Sequence, residues 1–209
     1  MRIIKRESQN YPEKLKNISQ PPEILCVKGK EISILNRPAI AVVGSRNATA
    51  YGRWATKTLV KQLIREKFAI ISGMARGIDT IAHYTALNSG GKTIAVLGSG
   101  IDVIYPPENR NLYQKINLVL SEFPPGTPPE AKNFPRRNRI IAGLSDAVLV
   151  IEAAKRSGSL ITARFAAEQG KDVFAVPGPV SSPQSEGTCW LIKQGAKLVY
   201  NIDDILEEL

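Results

Sequence analysis

One histidine and two cysteines in 209 residues leave little for a metal. Cys26 and Cys189 stand far apart, with no second Cys or His beside either, so a structural zinc set is excluded. Aromatic residues make up only 6%, which limits how many bases the chain can stack. No apolar run approaches the ~20 residues of a membrane span, and the opening MRIIKRESQN lacks the apolar segment and cleavage site of a secretory leader. The expectation is a soluble, cytoplasmic protein with no membrane partner. Repeats and low-complexity tracts are also lacking.

Acidic residues are in deficit. Lys and Arg total 28 against 19 Asp and Glu, a net charge of +9 that suits a polyanionic partner or serves as general solubilising charge. Placement separates the two. Lys132, Arg136, Arg137 and Arg139 form a run with no acid inside it, while Asp203, Asp204, Glu207 and Glu208 gather in the tail. The arginines crowd the first turn of an expected helix, where the positive end of the helix dipole favours anions. That stretch predicts an external anion.

From Pro38 onward short β-branched runs alternate with helical stretches. Strands are predicted at 39–44, 68–73, 93–98, 118–123, 147–152, 172–178 and 197–200, and helices at 49–67, 77–89, 108–117, 134–144, 157–170 and 184–195. Several strands are apolar throughout, as expected where helices cover both faces of a parallel sheet. The fold class is α/β: an extended Rossmann-like fold with a mostly parallel sheet. Residues 1–37, with a short strand at "ILCVKG", read as an extension docked on the sheet edge of a Rossmann-like domain at 38–209, one globular unit overall.

In such sheets ligands bind beyond the carboxyl ends of the strands. The turns there are "GSRNATAYG", "SGMARGID", "GSGIDVIYPPEN" and "EAAKRSGSLITA". They should bring Arg46, Arg76 and Arg156 to the 136–139 cluster around one cleft. In "GSR", Gly44 allows close backbone approach, Ser45 offers a hydroxyl and Arg46 can fork onto phosphate; a plain turn with a solvated arginine is the alternative. Ser157, Gly158 and Ser159 after Arg156 suit an anion or the helix's own cap.

Other motifs weaken on inspection. "SGGKT" lacks the first glycine of a P-loop, since Ala86 stands there, and Lys92 precedes a strand where a Walker lysine opens a helix. "GSGIDV" places Val103 where a dinucleotide fingerprint needs its third glycine. Asp79 and His83, spaced i,i+4, read as a structural histidine held by Asp79 or a carbonyl, and Glu152 as an anchor for an arginine of the cluster.

Together "GSR", "SGMARGIDTIAH", "GGKTIAVLGSGIDVIYPPEN", "FPRRNRIIAGLS", "EAAKRSGSLITARFAAEQGKDVFAVPG" and "GTCWLIKQGA" resemble the DNA-processing protein family called DprA or Smf, from about Tyr11 to the end. The resemblance implies a non-catalytic mediator without cofactor that binds single-stranded DNA, protects it and helps load RecA recombinase in natural transformation. It carries DNA-binding roles onto Arg46, Lys92 and the Arg137 region. Joined to the residue-level reading, the expected phosphate contacts are Gly44, Ser45, Arg46, Lys92, Arg136, Arg137, Asn138, Arg139, Ser157, Gly158 and Ser159. Phe134 and Tyr105 are the expected base contacts. The resemblance also implies a homodimer, with Leu191, Ile192, Gln194 and Leu198 of "LIKQGAKLV" as the candidate surface. A rival enzyme class that cleaves nucleotide phosphoribosyl groups carries a "PGGxGTxxE" turn; the turn after "VLVIE" here has no such glutamate. A nucleotide-sensing module is the third reading.

Overall fold

The computed structural model describes residues 1–29 and 31–209. In chain order the elements are β1 (Arg2–Lys5), α1 (Glu13–Lys16), β2 (Ile24–Gly29), β3 (Ala39–Val43), α2 (Ala50–Arg65), β4 (Ala69–Ser72), α3 (Ile78–Asn88), β5 (Thr93–Val96), α4 (Arg110–Lys115), β6 (Leu118–Ser121), α5 (Asn133–Leu144), β7 (Ala147–Val150), α6 (Gly158–Glu168), β8 (Asp172–Ala175), α7 (Glu186–Lys193), β9 (Lys197–Leu198) and α8 (Asp203–Leu206). Short 3-10 turns occupy Ile32–Asn36, Pro107–Asn109 and Pro183–Ser185.

One nine-stranded sheet runs β1-β2-β6-β5-β4-β3-β7-β8-β9. Strands β3 to β9 pair in parallel, and β1 and β2 add antiparallel pairs beside β6. Alternation along each strand sorts side chains to two layers. Ala41, Val43, Ile71 and Val150 meet α5, α6 and α7 on one face. Ile40, Val42, Ile70 and Leu149 meet α2 and α3 on the other. Both faces are therefore dry, which is why the central strands read as unbroken apolar runs.

The sequence found β2 to β9 and α2 to α7 but set several ends too late, and it missed the one-turn helices α1 and α8. The 172–178 run stops at Ala175, just before the Val176-Pro177 step, because Pro177 has no N–H for the ladder. The expected helices at 108–117 and 184–195 each open with a 3-10 turn. Strand β1 escaped prediction because only Ile4 of its four residues is buried. No helix among the described residues is long and apolar enough to cross a membrane.

Candidate nucleic-acid interface

The chain leaves β3 through α2 to one side and leaves the adjacent β7 through α6 to the other. Their turns diverge and open a crevice at the carboxyl ends of the strands, the topological switch point. A cleft of about 740 Å³ occupies it.

The first wall is the turn after β3. A Cβ on Gly44 would stand 2.7 Å from Ile78 Cγ1, so only glycine lets the turn pass α3. Gly77 has φ +75°, and a Cβ there would meet the Ser45 carbonyl at 2.2 Å. Freed of that clash, Ile78 N–H donates to the Ser45 carbonyl (3.1 Å) and ties the turn to α3. Ser45 Oγ accepts the Asn47 N–H (3.0 Å). Arg46 is exposed, with its guanidinium 5.4 Å from the centre of the Phe134 ring. Among the described residues no carboxylate lies within 4 Å of it.

Helix α5 supplies the floor. Arg137 is 4% exposed and lines the cleft. Its Nη1 donates to the carbonyls of Gly73 (2.6 Å) and Val96, at the ends of β4 and β5, and its Nε to Asn138 Oδ1 (3.1 Å). Burial pulls its pKa down to about 10, with Asp79 opposing the fall and Arg46 adding to it. The guanidinium stays charged at neutral pH. Burial pushes the Asp79 carboxyl up, while the Arg137 charge and the N–H groups of Ala75 and Gly73 hold it back. The Phe134 ring is close to both arginines, 6.0 Å from the Arg137 guanidinium and 5.7 Å from the tilted ring of Tyr105.

The far wall is the start of α6. Ser157 caps the helix by accepting the Ser159 N–H (3.4 Å), and the two hydroxyls meet at 2.8 Å. The capping role is thus filled. Gly158 is exposed with open space where a Cβ would be, and its carbonyl accepts Asn138 Nδ2 (3.2 Å). Arg156 also lines the cleft.

Gly44, Ser45, Arg46, Arg137, Asn138, Ser157, Gly158, Ser159, Phe134 and Tyr105 are therefore gathered in one place. Other expected members lie elsewhere. Arg139 forms a buried ion pair with Glu122 (2.7 Å) and bonds the Gln20 carbonyl (3.0 Å). Arg136, one turn away on the same helical face, rests on Phe123 and lies 3.5 Å from Glu122. Arg76 pairs with Glu108 outside the cleft. Lys92 precedes β5, so it sits on the opposite rim of the sheet, where it pairs with Glu31 (2.6 Å).

Two side-chain partnerships also differ from expectation. Glu152 holds no arginine: it accepts from the backbone N–H of Thr49 (3.0 Å) and from its hydroxyl, fixing the cap of α2. His83 is fully buried and bonded to Thr93 Oγ1 (2.7 Å), not to Asp79. Because the Thr93 hydroxyl gives its proton to the Ile70 carbonyl, Nδ1 of His83 carries the ring proton. Burial, with the charge of Arg137, drives its pKa down to about 3. Residue-by-residue reading missed Asp79 as the counter-charge of Arg137 and missed Gln184, which lines the cleft with a buried, unpartnered Oε1. An acid in the first turn of α3 was the available signal for Asp79.

Of the candidate partner surface, Leu191 is buried in the core and Ile192 packs against it, whereas Gln194 is exposed and Leu198 is 42% exposed. A groove of about 1000 Å³ between α6 and α7 runs beside Gln194 and Trp190.

A family profile described as DNA recombination-mediator protein A matches residues 2–209. The chain is 45% identical over 205 residues to the DNA processing protein DprA of Bacillus subtilis, covering 97% of this chain and 69% of that protein. It superposes on the X-ray structure of DprA from Streptococcus pneumoniae with a TM-score of 0.95 at 45% identity, over 100% of this chain and 74% of that one. A second solved relative is DNA processing protein A of Helicobacter pylori, described for its single-stranded DNA binding mode. It gives a TM-score of 0.86 at 32% identity, with 98% and 97% covered. The chain spans between 52% and 71% of the length of four curated relatives.

Proposed function

Because this chain belongs to the DNA recombination-mediator protein A family, whose curated members are named DprA or Smf, we propose that its cleft binds single-stranded DNA with little regard to sequence. The observation that carries the reading is the gathering of exposed Arg46 and buried Arg137 about the one ring of Phe134, in a cleft shared with the start of α6. Two cations and a helix N-terminus suit phosphate, and the Phe134–Tyr105 pair suits an unstacked base. The single-stranded DNA binding of the Helicobacter relative supports it. Lys92, Arg136 and Arg139 have no part in this cleft. The protein then acts without catalysis or cofactor, protecting single strands in the cytoplasm and helping RecA load onto them in natural transformation. It works as a homodimer joined through Gln194, Leu198 and the groove beside Trp190.

Titration of single-stranded and duplex DNA of equal length across a salt series tests the cleft. The single strand should bind more tightly with a steep salt dependence, and equal affinity for the duplex would sink the reading. RecA loading is tested by filament formation on single strands with and without the protein.

A further inference from the structure

Helix α2 buries Gly52, Ala55, Thr56, Leu59, Val60 and Leu63. Its opposite face exposes Arg53, Lys57, Lys61 and Arg65 at i,i+4 steps, with Trp54 among them at 61% exposure. Between Thr49 and Lys67 the only acid is Glu66. Among the described residues, none of the four cations has a carboxylate within 4 Å.

Folding alone does not account for this face. Like charges at i,i+4 repel and weaken a helix, and an indole left in water gains nothing from burial. Trp54 leans on Tyr51, 6.0 Å between ring centres, and Tyr51 is itself fixed by its hydroxyl bond to the Pro177 carbonyl (2.7 Å). The ring is braced yet open. The stripe also starts at the cleft: Arg53 Nη1 donates to the Ala48 carbonyl (2.5 Å), two residues from Arg46. From there the cations climb the helix in steps of about 6 Å, about 18 Å in all.

We propose that this face of α2 is a second contact for single-stranded DNA, carrying the strand away from the cleft with phosphates on Lys57, Lys61 and Arg65 and a base stacked on Trp54. The proposal rests on the cleft reading for the strand's starting point. Charge complementarity selects a polyanion, and stacking on a lone indole selects unpaired bases over a duplex.

Oligothymidines of about six and about twenty nucleotides separate the two contacts, since the shorter fills the cleft alone. The longer strand should quench tryptophan fluorescence, and the quench should vanish in Trp54→Phe. A Lys57→Gln/Lys61→Gln/Arg65→Gln variant should bind the short strand as the parent does and lose the extra affinity for the long one. Its log affinity against log salt should flatten by about 2, three phosphates at about 0.7 each, with no fall in melting temperature. An unchanged affinity of this variant for the long strand, absence of Trp54 quenching, or equal quenching by duplex would overturn the proposal. Failure of the cleft reading shows separately, as a short strand whose binding ignores Arg46→Ala.

Discussion

The guanidinium of Arg137 fills the space that a side chain on Gly73 would occupy: a Cβ there would stand 2.6 Å from Cζ. Glycine and arginine are thus two halves of one fitting. Gly73→Ala should push Arg137 off its carbonyls, cost about 1–3 kcal/mol by overpacking, and weaken single-stranded DNA binding together with stability. Denaturant titration and DNA binding on the same variant check this.

The two cleft arginines should respond differently to truncation. Arg46→Ala should leave the melting temperature nearly unchanged, because the side chain is solvated, and should flatten the salt slope by about 0.7. Arg137→Ala strips charged donors from two buried carbonyls and leaves Asp79 without its cation. It should cost about 2–3 kcal/mol of stability besides affinity. Lysine at position 46 should recover only part of the binding, since an ammonium cannot fork onto phosphate. Equal melting temperatures for both alanine variants would contradict the buried placement.

His83 is the chain's only histidine, so no second imidazole contributes to its stability in mild acid. Folded, its pKa is about 3; unfolded, it returns to about 6.5. Between those values the unfolded chain binds the extra proton, so stability falls as pH drops through 6.5, by up to about 1.4 kcal/mol per unit. Unfolding free energy measured at pH 7.5 and at 5 should therefore drop by about 2 kcal/mol, and by much less in His83→Gln. An equal drop in both would assign the acid sensitivity elsewhere.

Self-association should depend on exposed residues only. Leu198→Glu or Gln194→Glu should shift sedimentation toward monomer without lowering the melting temperature. Leu191→Glu, which places a charge in the core, should unfold the chain instead. A parent protein that remains monomeric at tens of micromolar would refute the dimer.

Much of the fold was legible because strands buried on both faces cannot hide their apolar runs, and the Gly-rich turns marked the ligand rim. Lys92 was placed in the cleft although the pattern held the contrary signal: a residue before a parallel strand lies on the rim opposite a residue after one. The arginine run misled because neighbours on a helix point 100° apart. Arg136 and Arg139, three apart, turn together toward Glu122, while Arg137 turns under the sheet ends. The partner of Glu152 depended on which strand lies beside β7, and strand order is a tertiary fact that no local pattern encodes.

In the proposed encounter with a strand, the unequal burial of Arg46 and Arg137 should also divide events in time. Arg137 has surrendered its rotamers to the fold, so a phosphate reaching it orders nothing further, whereas Arg46 must be stilled on contact. A solvated rim charge acts on the approach of a polyanion, and a desolvated one held in place by its own hydrogen bonds acts on its departure. If the cleft takes single-stranded DNA as proposed, the outer arginine should govern how quickly a strand is found, and the inner one how long it is kept.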